Sequence, residues 1–258
     1  MALPHVERLP RDWAHIDFEE IDSTNAEAMR RAAAGERGPL WITARRQTRG
    51  RGRSGRSWTS ADGSLAATLL FRPMCTLSDL PQLSLVAGVA THTAIAGVLP
   101  TEAQQACRLK WPNDVLIAGA KVSGILVESA IMGTEPVVAI GIGINAGAAP
   151  ILADRLASGL AEYGSQTASE DMSSRLALAV ADWLDVWRAP RQGFAAVRTG
   201  WLERAFSVGE MMTVNAADEH VSGRFAGLDA EGSLLLTDET GTVRRFTFGD
   251  VALGGPRV

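Results

Sequence analysis

The stretch from Gln47 to Trp58, QTRGRGRSGRSW, interleaves glycine with Arg49, Arg51, Arg53 and Arg56. Neither regular element accommodates it. A glycine in a helix costs about 1 kcal/mol relative to alanine, and in a strand it leaves no side chain to pack. The segment therefore reads as a mobile loop, with regular structure confined to either side. Backbone N–H groups and guanidinium forks in such a loop can close around an anion. Gln47 and Trp58 flank it with a polar group and a flat apolar surface, which points to a phosphate-bearing small molecule.

A chain of 258 residues can hold one large domain, or one large and one small. Its net charge of −4 argues against a general nucleic-acid or membrane binder, although a local basic patch survives in a mildly acidic whole. Cys75 and Cys107 are the only cysteines and lie in no CxxC or Cys/His cluster, so neither a disulfide framework nor structural zinc is expected. The N-terminus lacks a basic segment followed by an apolar one, and no apolar run approaches the roughly 20 residues that span a bilayer. A cytoplasmic protein is expected. Lys110 and Lys121 are the only lysines beside 23 arginines, which suggests that lysine is kept where arginine's planar fork will not serve.

Residues 16 to 145 read as strands alternating with helices. A helix is expected over Asp22 to Ala34, entered through Ser23 and Thr24, with Thr24 and Glu27 at capping-box spacing. Strands are expected at Leu40–Ala44, Leu65–Phe71, Arg108–Trp111, Asp114–Ile117, Lys121–Ser129 and Pro136–Ile144, with a buried helix at Leu83–Leu99. Short strands joined by tight turns imply a mixed sheet. Further on, helices are expected at Ile151–Glu162 and Ser173–Arg188, and a shorter apolar stripe at Phe194, Val197 and Trp201. From Ser207 the pattern becomes strands at Met211–Asn215, Val221–Leu228, Ser233–Thr237 and Thr242–Phe248, with a turn at Ala217-Asp218 among others. The reading is an α/β (α+β) chain: a large mixed-sheet domain at 1–206, flanked by helices, and a small all-β domain at 207–258.

A second informative stretch is KWPNDVLIAGAKVSGILVE, Lys110 to Glu128. Pro112 holds Trp111 extended and ends a strand, and Asn113 and Asp114 follow as turn and polar residues. Lys121 opens an apolar strand in which Gly124 permits close backbone approach. An ammonium there suits a carboxylate or phosphate in a narrow groove, while a solvated hairpin lysine is the plainer alternative. In GIGIN, Gly141 to Asn145, glycines could let a ligand sit against the backbone with Asn145 reading its polar edge; a structural strand end explains it as well. Ser23-Thr24-Asn25 reads as a helix cap or a ligand contact. His5, His15, His92 and His220 form no metal-binding pattern, and His92 reads as packed. No GxSxG elbow or P-loop occurs, and GRGRSG at Gly50–Gly55 lacks the following apolar helix of a dinucleotide-binding turn.

These pieces together, with IDSTN at 21–25, closely resemble the biotin protein ligase family over residues 15 to 145. The module after residue 207 resembles that family's SH3-like β-barrel C-terminal domain. The resemblance implies that biotin's carboxylate attacks the α-phosphorus of ATP to give biotinyl-5′-AMP, with Mg²⁺ as activator. A lysine of a biotin carboxyl carrier protein or domain then takes the biotinyl group. It implies further that Ser23, Thr24, Asn25 and Gln47 hold biotin's ureido ring, and that Arg51, Gly52 and Arg53 cover the ligand. Lys121 would contact the reacting carboxylate and α-phosphate, and Arg56, Trp58, Lys110 and Asn145 would serve the adenylate half. Asp114 would help place Mg²⁺ or accept the acceptor lysine's proton; no metal ligands are assigned.

Two features depart from the family. Arg49 stands where a small residue is usual and has no assigned use. About twenty residues precede IDSTN, against about sixty in the helix-turn-helix domain of bifunctional members, so a ligase without operator binding is expected. A homodimer is compatible with the resemblance; DNA and membranes are not expected partners. The alternatives are a lipoate-ligase-like acyltransferase and an Arg/Gly nucleic-acid-binding protein, the latter disfavoured by negative charge and by a single aromatic, Trp58, in the segment.

Overall fold

The computed structural model describes residues 9–151, 156–188, 193–216 and 219–254. The first part contains β1 (Ala14–Ile21), α1 (Thr24–Ala33), β2 (Leu40–Gln47), β3 (Leu65–Phe71), α2 (Gln82–Ala96) and α3 (Thr101–Ala106). It continues through β4 (Cys107–Lys110), β5 (Asp114–Ile117), β6 (Ala120–Met132) and β7 (Glu135–Ile144) to α4 (Ser169–Arg188) and α5 (Gly193–Arg204). These seven strands form one sheet in the order β1-β2-β3-β7-β6-β5-β4. Only β1 and β2 run parallel, so the sheet is mixed, as expected.

Alternation along the strands assigns the two faces. On β2, Trp41 enters the large core with α2 and α4, while Leu40 and Ile42 join a smaller core against Ala28 and Ala32 of α1. Strand β3, beside the central β7, is buried along its whole length. Helix α2 is apolar nearly all round because it lies between the sheet and α4 and α5. One sheet face is thus roofed by α2, α4 and α5. The other carries α1 over β2, β3 and β7 and against β6, and the rest of that face becomes the floor of a cleft.

Four strands of a second sheet, β8 (Met211–Ala216), β9 (Glu219–Leu228), β10 (Leu234–Thr237) and β11 (Val243–Phe246), are joined by β12 (Asp250–Leu253). Their order is β11-β10-β9-β8-β12, antiparallel throughout. Among the described residues β11 and β12 do not pair, so the sheet is open and the expected closed barrel is corrected to an SH3-like open sheet. It shares the main core: Val214, Phe225, Leu234 and Leu236 belong to it, and Trp201 of α5 meets Phe225 edge-on at 6.5 Å between ring centroids. Trp111 Nε1 donates to the Gly232 carbonyl at 3.2 Å.

Some expectations need correction. The cap of α1 is Ser23, whose hydroxyl accepts from Ala26 N–H at 3.4 Å, rather than the Thr24/Glu27 pair. No α-helix forms in the described part of 151–162: Ala157 bridges to Lys121, and Leu160–Tyr163 make a 3-10 turn. The remainder of that stretch, like the turn at Ala217-Asp218, lies outside the described residues. β1, α3 and β12 were not foreseen as elements.

Ile140, fully buried at the centre of the sheet, tests the shared core. Ile140→Ala should cost about 2–5 kcal/mol, seen in urea unfolding as a lower midpoint at unchanged slope.

Candidate active site

The cleft floor is a set of sheet rows. Register places Ala66, Gly143, Gly124, Asp114 and Lys110 in one row across β3, β7, β6, β5 and β4. The next row is Thr68, Gly141 and Leu126. The glycines make room for the protein's own side chains. A Cβ on Gly141 would lie 2.1 Å from Asn25 Oδ1, and one on Gly143 would lie 2.4 Å from the Trp58 ring. The expectation that they let a ligand rest on bare backbone is therefore replaced: Asn25 and Trp58 lie there instead.

Asn25, Thr24 and Gln47 form one end of the cleft. Gln47 Oε1 accepts from the Thr24 amide at 2.8 Å and its hydroxyl at 3.1 Å. Thr68 Oγ1 lies 2.8 Å from Thr24 Oγ1 and 2.7 Å from Asn25 Oδ1. Asn25 Nδ2 donates to Leu126 O and to Glu128 Oε2, which Arg51 also meets at 2.8 Å. Thr68 and Glu128 were missed in the sequence. Thr68 sits in an apolar strand without a motif, and Glu128 reads as an exposed strand end.

At the other end lie the only two lysines. Asp114 is 8% exposed, with Lys110 Nζ at 3.0 Å from Oδ2 and Lys121 Nζ at 2.5 Å from Oδ1. Burial alone would raise the Asp114 carboxyl, but the Lys121 and Lys110 charges outweigh it and hold it below the ordinary value. A β-bulge directs Lys121 here: the β5–β6 register shifts between Val115 and Leu116, so Val122 and Ser123 are both fully buried while Lys121 and Gly124 share the cleft side. Lys121 Nζ stands 5.9 Å from the Trp58 ring centroid. Trp58 Nε1 and Asn145 Oδ1 are buried without a hydrogen-bond partner among the described residues, each costing about 1–3 kcal/mol. A polar ligand would relieve both.

The Arg/Gly segment is a loop held by its own hydrogen bonds and one short 3-10 turn. Arg51 bridges to Ser57, Gly52 N–H donates to Arg56 O at 2.7 Å, and residues 53–55 make a 3-10 turn with Ser54 at φ 54°. The second sheet anchors it. Arg56 Nη2 lies 2.7 Å from Asp250 Oδ1, and Arg53 reaches Asn113 Oδ1 at 3.2 Å and Gly249 O at 3.3 Å. Lys110 also donates to Val251 O at 3.1 Å. Burial pushes the Arg53 guanidinium down despite nearby Asp250. Arg49 is exposed, its amide donating to Asp22 O at 2.8 Å; no use for its charge emerges. His92 is packed as expected, its imidazole pushed down to about 4 by burial.

Together these groups enclose a cleft of about 1030 Å³, lined from both sheets. It brings together Ser23, Thr24, Asn25, Gln47, Arg51, Gly52, Arg53, Arg56, Trp58, Lys110, Asp114, Lys121 and Asn145, with Asn113, Asn215 and Asp250 added by the structure. One end offers hydrogen-bonding groups to a neutral polar ring, and the other offers cations to an anion.

Residues 12–145 match the biotin/lipoate A/B protein ligase family, and residues 208–254 match the biotin protein ligase C terminal domain. A biotin–[acetyl-CoA-carboxylase] ligase of Paracoccus denitrificans is 39% identical, over 85% of this chain and 92% of the relative. The chain belongs to the biotin protein ligase family. A Mycobacterium tuberculosis biotin–[acetyl-CoA-carboxylase] ligase is 31% identical, over 93% of this chain and 89% of its own. The solved biotin protein ligase of Aquifex aeolicus, in complex with biotin and ATP, superposes with a TM-score of 0.78 at 27% identity, over 93% and 99% of the two chains. This member of the family is thus an enzyme whose two sheets meet at a charged cleft.

Asp114 sets a pH-dependent term in the ligase's stability. Its folded-state pKa lies below the unfolded value, so its contribution is complete above that unfolded value, about 3.9, and is lost as pH falls through the lowered one. Asp114→Asn takes the shared carboxylate from two partly buried ammonium groups and should cost about 3 kcal/mol at neutral pH. Urea unfolding across a pH series checks this: the gap between the two proteins should narrow only on strong acidification.

Proposed function

We propose that the cleft binds biotin and MgATP, forms biotinyl-5′-AMP, and transfers the biotinyl group to a lysine of a biotin carboxyl carrier domain. The observation that carries this is the order of groups along one sheet face: a neutral hydrogen-bonding wall at Asn25 and Gln47, then an aromatic ring, then the paired lysines and arginines. Biotin spans that sequence, ureido ring against Ser23, Thr24, Asn25 and Gln47, carboxylate beside Lys121. ATP lies toward Trp58, Asn145, Arg56 and Lys110. The work is proposed to take place in the cytoplasm, where reduced thiols such as the unpaired Cys75 and Cys107 persist.

In the first step a biotin carboxylate oxygen bonds to the α-phosphorus, and the bond to the bridging oxygen breaks as pyrophosphate leaves. An anion approaching a polyphosphate is repelled unless fixed positive charge offsets it as the transition state forms. Lys121, Arg53 and Arg56 supply that charge in a partly dry site, where it counts for more than in water. To meet a phosphate, Arg53 and Arg56 exchange Asp250 for it. In the second step the acceptor amine attacks the acyl carbon and AMP leaves. Arg51, Gly52 and Arg53 cover the anhydride until then, limiting hydrolysis.

Among the described residues no three carboxylate, histidine or cysteine groups gather as a metal site, and both Asp114 oxygens face lysines. Asp114 does not fit a metal ligand. Mg²⁺ enters as part of the nucleotide substrate, held chiefly by phosphate and water. A carboxylate held low is also a poor base, so the role favoured for Asp114 is to position Lys110 and Lys121 rather than to accept a proton. The proposed division of the chain is at 206/207; α5 ends at Arg204 and β8 starts at Met211 on either side of it.

Lys121→Ala should abolish biotin-dependent ATP–pyrophosphate exchange while circular dichroism stays unchanged; near-normal exchange would refute the assignment. Exchange supported by lipoate instead of biotin would favour the acyltransferase alternative. In Arg53→Gly, adenylate should still form but appear free in solution at a higher level than in the parent.

A further inference from the structure

Thr68 is a fully buried hydroxyl in an otherwise apolar strand, and it lies behind the cleft rather than in it. Thr24, Asn25 and Gln47 line the cleft, whereas Thr68 does not. Its Oγ1 nevertheless touches two of them, Thr24 Oγ1 at 2.8 Å and Asn25 Oδ1 at 2.7 Å. Apolar packing gives no reason for a hydroxyl there; the contacts do.

Counting hydrogens fixes the direction of these bonds. Asn25 Nδ2 spends its two hydrogens on Leu126 O at 3.1 Å and Glu128 Oε2 at 2.8 Å. A carbonyl only accepts, so the Asn25 amide cannot be turned round, and Oδ1 faces Thr68 as an acceptor. Thr68 has one hydrogen, and it goes to Asn25. Thr24 Oγ1 then stands 2.8 Å from a hydroxyl oxygen whose own hydrogen is committed, a separation that needs the Thr24 hydrogen between them. The other partner for that hydrogen is Gln47 Oε1 at 3.1 Å, which already takes the Thr24 amide at 2.8 Å. Both partners lie within the wall. Toward the cleft, Thr24 therefore offers lone pairs and no hydrogen. Gln47, oriented by the same amide, keeps Nε2 as a donor without a hydrogen bond among the described residues.

We infer that Thr68 is a positioning residue that sets the ring selectivity of this ligase: it keeps the Thr24 hydroxyl an acceptor, so the wall admits a ring that brings N–H to Thr24 and rejects one that brings oxygen. This rests on the proposed binding of biotin's ureido ring at Thr24 and Gln47. Thr68→Val removes the hydroxyl at nearly constant shape. The Thr24 hydrogen, held then only by the longer contact to Gln47, is free to turn to the ligand.

The test measures ATP–pyrophosphate exchange by the full chain with biotin and with two cyclic carbamate analogues, each carrying ring oxygen in place of one ureido N–H. The parent should use at least one carbamate about 10–100-fold less well than biotin in kcat/KM, the cost of setting two acceptors against each other. Thr68→Val should narrow that ratio about ten-fold while kcat with biotin stays near the parent's. Thr68→Ser, which keeps the hydroxyl, should keep the ratio. Should Thr68→Val fail to fold, Thr68→Cys takes its place, since a thiol donates and accepts weakly and should narrow the ratio in the same direction. A parent that uses both carbamates as well as biotin, or a folded variant lacking the hydroxyl that keeps the parent's ratio, would overturn the inference. So would a KM raised equally for all three ligands, the mark of a wall merely deformed. A parent with no biotin-dependent exchange would instead sink the functional reading beneath it.

Discussion

Two ammonium groups share one buried carboxylate in the floor of the cleft, and the surrounding architecture depends on that arrangement. Burying a charge costs several kcal/mol unless it is matched at close range. Asp114 meets Lys110 at 3.0 Å along one oxygen and Lys121 at 2.5 Å along the other. The sheet makes this possible because Lys110, Asp114 and Gly124 lie in one row of β4, β5 and β6. The bulge in β6 supplies the last requirement. Regular alternation would have sent Lys121 to the face occupied by Val122, Ser123 and Ile125; the extra residue turns it to the cleft.

A second constraint is that the cleft has no complete wall without the second sheet. β12 and the glycine before it contribute the Asp250 carboxylate and the carbonyls of Gly249 and Val251, which hold Arg56, Arg53 and Lys110 respectively. An Arg/Gly segment without such contacts would have little reason to adopt one conformation, given its glycine content. The second sheet is in turn held by the shared core at Trp201, Phe225 and Trp111. Packing remote from the chemistry therefore determines where the cleft's cations stand.

Much of this was legible in the sequence, and the failures have identifiable physical causes. Leu65–Phe71 and Asp114–Ile117 agree with β3 and β5 because unbroken apolar runs bounded by turn residues leave little choice. The residues that line the cleft were legible because they cluster in short motifs, the Arg/Gly stretch and GIGIN among them. β1 was missed since its burial is mixed, an edge strand with Glu19 and Glu20 facing solvent. The apolar spacing of 151–162 imitated a helix, but Leu156 and Ser158 give their backbone bonds to Lys121. Asp250 could not be read at all. Its importance comes from lying beside Arg56 across the cleft, 194 positions earlier in the chain, and nothing local signals that.

The central claim is that the Lys121 ammonium is the charge that meets the ligand's reacting anions. The chain's two lysines make the measurement direct: isotope-labelled lysine gives one pair of side-chain ammonium signals, assigned with Lys110→Arg. On addition of biotin and a non-hydrolysable ATP analogue together, the Lys121 signal should move further than with either alone. Saturation by both ligands with the Lys121 signal unmoved would contradict the account.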